Sequence, residues 1–140
     1  MAQVIFFRPP EDYSRGLGTR RSPLGLLYLG AALRQAGWSV KIIDSHSVEN
    51  WQAQLDEALD GQTICAGVSC MTGYPIKGAL AFAEAVKQRR DVPVIFGGLH
   101  ASLLPQQTAA HPLVDIAFVG EGDTRFPQLV RKLADGESLF

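Results

Sequence analysis

The stretch Pro93-Val94-Ile95-Phe96-Gly97-Gly98-Leu99-His100 shows most directly how this chain folds. It places a short apolar run, typical of a strand buried on both faces, directly before a pair of glycines. Similar apolar runs occur at residues 3–7, 40–43, 64–69 and 116–119, and segments with helical character separate them. Apolar strands that alternate with helices predict parallel pairing through right-handed crossovers.

This order predicts an α/β domain of three layers, with a five-stranded parallel sheet of the flavodoxin-like (Rossmann-like) type. We expect the strand order 2-1-3-4-5. Ser22 and Pro23 are expected to begin the first helix, with Ser22 as its cap, and Gly37 to end it. Residues 11–21 are predicted to be a loop. The other helices are predicted at 51–59, at 75–90, near 105 and at 126–134.

Length and composition limit the possible classes of protein. The 140 residues fit one domain, residues 1–140, and the net charge of −1 without a basic stripe argues against a nucleic-acid partner. No apolar run approaches the roughly 20 residues that span a bilayer, so no membrane is expected. Cys65 and Cys70 match no metal or redox spacing and are expected to be buried thiols. The expected location is therefore the cytoplasm.

Four segments follow predicted strands and should meet at one edge of the sheet: Arg8 to Pro10, Ser69 to Tyr74, Gly97 to His100, and Gly120 to Gly122. In an open parallel sheet the ligand lies beyond the carboxyl ends of the strands. Any one of these glycines alone would indicate a tight turn. Together they favour a broad surface where backbone groups approach a large, rather apolar ligand.

Other ligands of flavodoxin-like domains fit poorly. A phosphoacceptor domain would need acidic residues where Arg8-Pro9-Pro10 stands, and a flavodoxin would need a phosphate loop there. The sequence also contains no G-x-G-x-x-G or Walker loop, which argues against dinucleotides and nucleoside triphosphates.

The ordered set Pro23 to Leu29, Gly67 to Thr72, Gly97 to Ala101 and Gly120 to Asp123 resembles the N-terminal cobalamin (B12)-binding domain of B12-dependent radical SAM proteins, which include methyltransferases and oxidative cyclases. The resemblance covers nearly the whole chain. It implies cobalamin bound with its own base displaced and without a histidine on cobalt. In that family a radical SAM domain follows, with a 4Fe–4S cluster and S-adenosylmethionine.

The Cys-x-x-x-Cys-x-x-Cys motif of that following domain is absent from this sequence. We therefore expect an excised N-terminal fragment or a stand-alone relative that has no catalytic activity alone. As a fragment, it would present cobalamin to the downstream radical SAM domain. Two alternatives stay open: a stand-alone small-molecule domain of flavodoxin type, and a module that only mediates contacts between domains.

The resemblance implies cofactor-binding residues within the four loops, namely Arg8, Pro9, Pro10, Ser69, Met71, Thr72, Gly73, Tyr74, Gly97, Gly98, His100, Gly120, Glu121 and Gly122. Some have a structural alternative: Arg8 could form a surface salt bridge, Met71 and Tyr74 could pack in the core, and Glu121 could cap the last helix.

Two histidines need separate treatment. His100 could contact cobalamin or bond to nearby backbone, and both remain open. Asp44-Ser45-His46 partly matches the Asp-x-His-x-x-Gly motif that ligates cobalt in other B12 domains. It follows the second strand rather than the first, and Glu49 stands where the motif has glycine. We therefore expect His46 to be a loop residue without a role at cobalt.

Overall fold

The computed structural model describes residues 2–10 and 22–139, so the loop predicted over residues 11–21 lies outside the described residues. The described part contains five strands and six helices in the order β1 Val4–Arg8, α1 Leu24–Gln35, β2 Val40–Asp44, α2 Trp51–Ala58, β3 Cys65–Ser69, α3 Pro75–Arg89, β4 Val94–Gly97, α4 Leu99–Leu103, α5 Pro105–Ala109, β5 Ile116–Ala117 and α6 Arg125–Ala134.

All strands pair in parallel, in the order β2-β1-β3-β4-β5, which confirms the predicted topology. The interior strand β1 is buried along its whole length because helices cover both faces of the sheet. Across the centre of the sheet, Phe6 pairs with Gly67, and Gly67 pairs with Ile95. Alternate residues of these strands face opposite helical layers.

One helical layer contains α2 and α3. Its core is aromatic: the rings of Phe7 and Phe82 stack with centroids 4.4 Å apart, and Trp51 packs against both. The opposite layer contains α1 and α6, where Leu33 and Val130 are fully buried beside the sheet. The cleft described below is lined by residues of this second layer.

Helix starts differ in part from the prediction. Pro23 rather than Ser22 occupies the N-cap of α1, and no side chain in the described residues caps that helix. By contrast, Asn50 caps α2 by accepting a hydrogen bond from the Ala53 N–H at 3.2 Å. The single short helix expected near residue 105 is two helices, α4 and α5. They separate at Leu104 because a residue before proline is disfavoured in the helical region.

No helix in the part of the chain that the structure describes is long and apolar enough to cross a membrane.

Candidate functional site

A cleft of about 480 Å³ opens at the carboxyl end of the sheet, on the face covered by α1 and α6. This volume is typical of a small-molecule pocket. The sheet supplies the floor, α1 and α6 supply the walls, and the segment after β5 supplies part of the mouth. The lining residues are Phe6, Gly25, Leu26, Tyr28, Leu29, Gly67, Val68, Ser69, Ile95, Gly97, Gly98, Phe118, Gly120, Glu121, Gly122, Asp123 and Phe126.

Two glycines of the lining lie where the floor and the walls pack closely. A Cβ on Gly67 would lie 2.9 Å from two ring carbons of Phe6, its partner on the neighbouring strand. A Cβ on Gly122 would lie 2.9 Å from Cδ2 of Leu29. Both distances are below normal contact, so glycine is required for the close approach of the floor and the walls at these positions.

Aromatic rings line the inner part of the cleft. The ring centroids of Phe6 and Phe126 are 5.4 Å apart, and those of Phe126 and Phe118 are 5.3 Å apart. Both pairs are inclined, as aromatic pairs prefer. The three rings present apolar faces and edges against which a flat ring system can pack.

Gly98 joins the loops that follow β3 and β4. Its φ of +90° favours glycine, and a Cβ there would meet the Cys70 backbone N at 3.0 Å and O at 3.1 Å. The two loops are also hydrogen-bonded, since Cys70 N–H donates to Gly97 O and His100 N–H donates to Cys70 O. Gly98 therefore has a structural role in addition to its place in the lining.

The predicted residues divide into three groups. Ser69, Gly97, Gly98, Gly120, Glu121 and Gly122 line the cleft. Met71, Thr72, Gly73, Tyr74 and His100 lie beyond its lining, in the loop after β3 and at the start of α4. Met71 is 50% exposed and so is not packed in the core. Thr72 Oγ1 lies 3.1 Å from Nδ1 of His100.

The third group, Arg8, Pro9 and Pro10, lies at the end of β1, outside the lining of the cleft. Arg8 is buried and donates to Asp44 at 3.3 Å, so its salt bridge is internal rather than on the surface. His46 Nε2 lies 3.2 Å from Pro9 O in the same cluster. These residues connect the ends of β1 and β2.

Sequence reasoning missed the contribution of α1. Gly25, Leu26, Tyr28 and Leu29 form one wall of the cleft. The signal was the run of small residues in this helix, which indicates close approach either to the sheet or to a ligand. The structure shows the approach to the sheet at Gly30, where a Cβ would contact Ile42 at 3.5 Å. At Gly25 a Cβ would have no atom of another described segment within 4 Å, so this position borders the open space of the cleft.

The cleft offers carboxylates at its mouth and no reactive thiolate near neutral pH. Glu121 and Asp123 are exposed there. Burial raises the pKa of the Cys70 thiol to about 11 and that of Cys65 to about 12. Within residues 2–10 and 22–139, no group of three or more His, Cys, Asp or Glu side chains is arranged to hold a metal ion.

Comparisons with known proteins identify a family for this chain and related structures. The sequence model of the B12 binding domain matches residues 16–130. Over 143 aligned residues the chain is 29% identical to the uncharacterized methyltransferase PH0819 of Pyrococcus horikoshii, covering 98% of this chain and 30% of the relative. The chain therefore spans less than a third of the length of this curated relative.

Solved structures with the same fold include the radical S-adenosylmethionine methyltransferase TsrM of Kitasatospora setae. One TsrM structure contains cobalamin and a 4Fe–4S cluster; it matches with a TM-score of 0.70 and 21% identity, over 99% of this chain and 26% of TsrM. A second contains tryptophan substrate and a SAM analogue, with a TM-score of 0.71 and 18% identity, over 99% of this chain and 27% of TsrM.

Proposed function

Because the chain belongs to the B12-binding domain family, we propose that it binds cobalamin at the carboxyl edge of its sheet. The cofactor is bound with its own base displaced from cobalt and without a histidine in that place. The chain then presents cobalamin to a radical SAM domain of a longer parent protein in the cytoplasm. The observation that carries the proposal is the 480 Å³ cleft with an apolar floor at this edge.

The cleft fits the displaced base of the cofactor. A base that leaves cobalt needs a new environment, and a flat heteroaromatic ring is most stable when its faces are buried against apolar groups. Phe6, Phe118 and Phe126 offer such groups beside the open space. Gly67 and Gly122 allow Phe6, Leu29 and Phe126 to pack closely beside that space.

The rim of the same edge fits the corrin ring. Large apolar side chains are exposed there: Leu24, Tyr28, Met71, Leu99 and Val119. Exposed apolar surface of this kind marks a site that another molecule covers. The corrin is broad and largely apolar, and its amide rim matches the backbone and hydroxyl groups of the loops.

Two histidines contact protein groups, and this supports the proposal that neither of them is a ligand of cobalt. His46 Nε2 contacts Pro9 O at the end of β1, outside the lining of the cleft. His100 contacts Thr72 through Nδ1. Glu121 and Asp123, at the mouth, are placed to accept hydrogen bonds from corrin amides.

Bound cobalamin supplies a cobalt centre that accepts and donates a methyl group. In the proposal, this chain orients the cofactor and shields one side of it from water. The radical SAM domain, with its 4Fe–4S cluster and S-adenosylmethionine, belongs to the parent. The methyltransferase relatives favour methyl transfer for that parent over oxidative ring closure.

Gly25 gives the sharpest test of the proposal. Gly25 lines the cleft, and a Cβ there has no atom of another described segment within 4 Å, so the position has room for the start of a side chain. Leucine adds bulk at this lining position and favours the helix over glycine. We expect hydroxocobalamin titration to give a base-off absorption spectrum for the wild type. Gly25→Leu should weaken binding at least tenfold without lowering the melting temperature. Ala31→Leu, at an exposed site of α1 outside the cleft, should bind like the wild type.

Gly98→Val is a less direct test, because the positive φ and the Cys70 backbone predict a loss of stability as well as of binding. No spectral change at millimolar cobalamin would reject the proposal in favour of a small-molecule or contact domain. Equal affinity in Gly25→Leu and wild type would reject the cleft as part of the site.

A further inference from the structure

The buried part of the floor carries no polar side chain, and from this we infer that the site selects among cobalamin-like cofactors by their lower base. It favours a base with apolar edges, such as 5,6-dimethylbenzimidazole, over adenine. The inference rests on the proposed function, since it concerns the same cleft.

The innermost lining residues carry only hydrocarbon side chains or none. Phe6, Leu26, Gly67, Ile95 and Phe126 are all buried, and none of these five described residues has a polar side-chain atom. The polar side chains of the lining belong to Tyr28, Ser69, Glu121 and Asp123. These four are exposed or half-buried, so they lie towards the mouth.

The backbone of the floor offers little in place of side chains. Phe6, Gly67 and Ile95 lie side by side on the three central strands, each in register with the next. Backbone groups in such a ladder are engaged in pairing between strands. A ligand on this floor therefore meets carbon surfaces and not hydrogen-bonding groups.

The two bases differ in their hydrogen-bonding groups rather than in their faces. Both are flat and pack equally well against the phenylalanine rings. Adenine carries an exocyclic amine and additional ring nitrogens, which lose their water when buried on a floor without partners. The benzimidazole carries two methyl groups at the corresponding edge, and their burial is favourable. Pockets of this type discriminate by about tenfold to a hundredfold.

Leu29 is the position at which this preference can be changed. It is half-buried in the wall of the cleft, and glutamine has a similar length and adds an amide that donates and accepts. Leu27 lies on the same helix, is 45% exposed and does not line the cleft. Leu27→Gln is therefore a matched control with the same chemical change.

The experiment titrates wild type, Leu29→Gln and Leu27→Gln with cobalamin, with its adeninyl analogue and with cobinamide, which lacks the nucleotide tail. Each base has its own cost of leaving cobalt. This cost belongs to the corrinoid and is the same for every protein variant. It therefore drops out when the cobalamin-to-adeninyl affinity ratio is compared between two variants. We expect Leu29→Gln to shift the ratio about tenfold towards adenine, and Leu27→Gln to leave it unchanged.

With base release from cobalt measured separately and subtracted, wild type should prefer cobalamin by about tenfold to a hundredfold. Two outcomes after this subtraction would overturn the inference and leave cobalamin binding itself intact. One is equal affinity for the two bases, and the other is cobinamide binding as tight as that of cobalamin. Failure of all three corrinoids to bind would overturn the proposed function instead. If Leu29→Gln does not fold, the wild-type comparison decides the question alone.

Discussion

Thr72 Oγ1 lies 3.1 Å from Nδ1 of His100, and this contact links the loop after β3 to the first turn of α4. The His100 N–H strengthens the same link by donating to Cys70 O. With Nδ1 beside Thr72, Nε2 is the ring nitrogen that remains for a ligand. The pair lies outside the lining of the cleft, although both residues were predicted from the sequence to bind the cofactor.

We expect His100→Ala to weaken cobalamin binding about threefold to tenfold, the value of one neutral hydrogen bond. The spectrum of the bound cofactor should not change, because His100 is not a cobalt ligand in the proposal. Thr72→Val, which removes the positioning contact alone, should cause part of the same loss. Unchanged affinity would contradict the contact. If the electron paramagnetic resonance spectrum of bound cob(II)alamin lost a nitrogen hyperfine splitting in His100→Ala, His100 would be a cobalt ligand after all.

His46→Ala should leave cobalamin affinity within about twofold of the wild type and lower the free energy of unfolding by about 0.5–1.5 kcal/mol. The reason is that His46 contacts Pro9 O between the ends of β1 and β2 rather than facing the cleft. Urea denaturation and cobalamin titration measure the two quantities. A folded His46→Ala protein that no longer binds would show that this histidine belongs to the site.

Gly67→Ala should destabilise the protein by about 1–3 kcal/mol, because the new methyl group overlaps the ring of Phe6. Phe6→Leu removes that ring, so the double variant should lose less stability than the sum of the two single changes. Thermal or urea denaturation of all four proteins gives the coupling between the positions. Additive losses would mean that the Phe6 ring moves aside without cost.

Both thiols should resist Ellman's reagent at about pH 8 in the folded protein and react after denaturation, since the thiolate is the reactive form. Burial raises the pKa of Cys70 to about 11 and that of Cys65 to about 12, from an ordinary 9.0. Their stabilising contribution is therefore complete below pH 9.0 and is lost as the pH rises through these values. Rapid reaction of the folded protein would contradict this burial.

The strand order was predictable because each strand is a short apolar run followed by a turn signal. Gly97-Gly98 after β4 is the plainest case. Helix ends were less predictable, since neighbouring residues compete to occupy the cap position or to end the helix. Pro105 prevents Leu104 from continuing α4, and Pro23 occupies the N-cap position expected for Ser22.

The site was predictable only where its residues directly follow strands. Gly98 directly follows β4 and falls into this class. Gly120 was predicted in the same way, but β5 ends at Ala117 rather than at residue 119, so two residues separate it from the strand. The wall formed by α1 depends on how far that helix reaches over the edge of the sheet, which is a property of packing between distant segments. Arg8 was predicted to line the site by the same rule, since it stands where a strand ends. Its side chain instead donates to Asp44, which is 36 residues away in the sequence and which no local pattern identifies as its partner.

The position of β1 has a consequence for how the chain is made. This strand lies inside the sheet, between β2 and β3, and Val4 pairs with Val40 on one side and with Cys65 on the other. During synthesis β1 therefore precedes both of the strands that it pairs with. Such long-range parallel pairing forms slowly and leaves apolar surface exposed meanwhile. We therefore expect refolding of the domain to be slow and to lose yield to aggregation as the protein concentration rises.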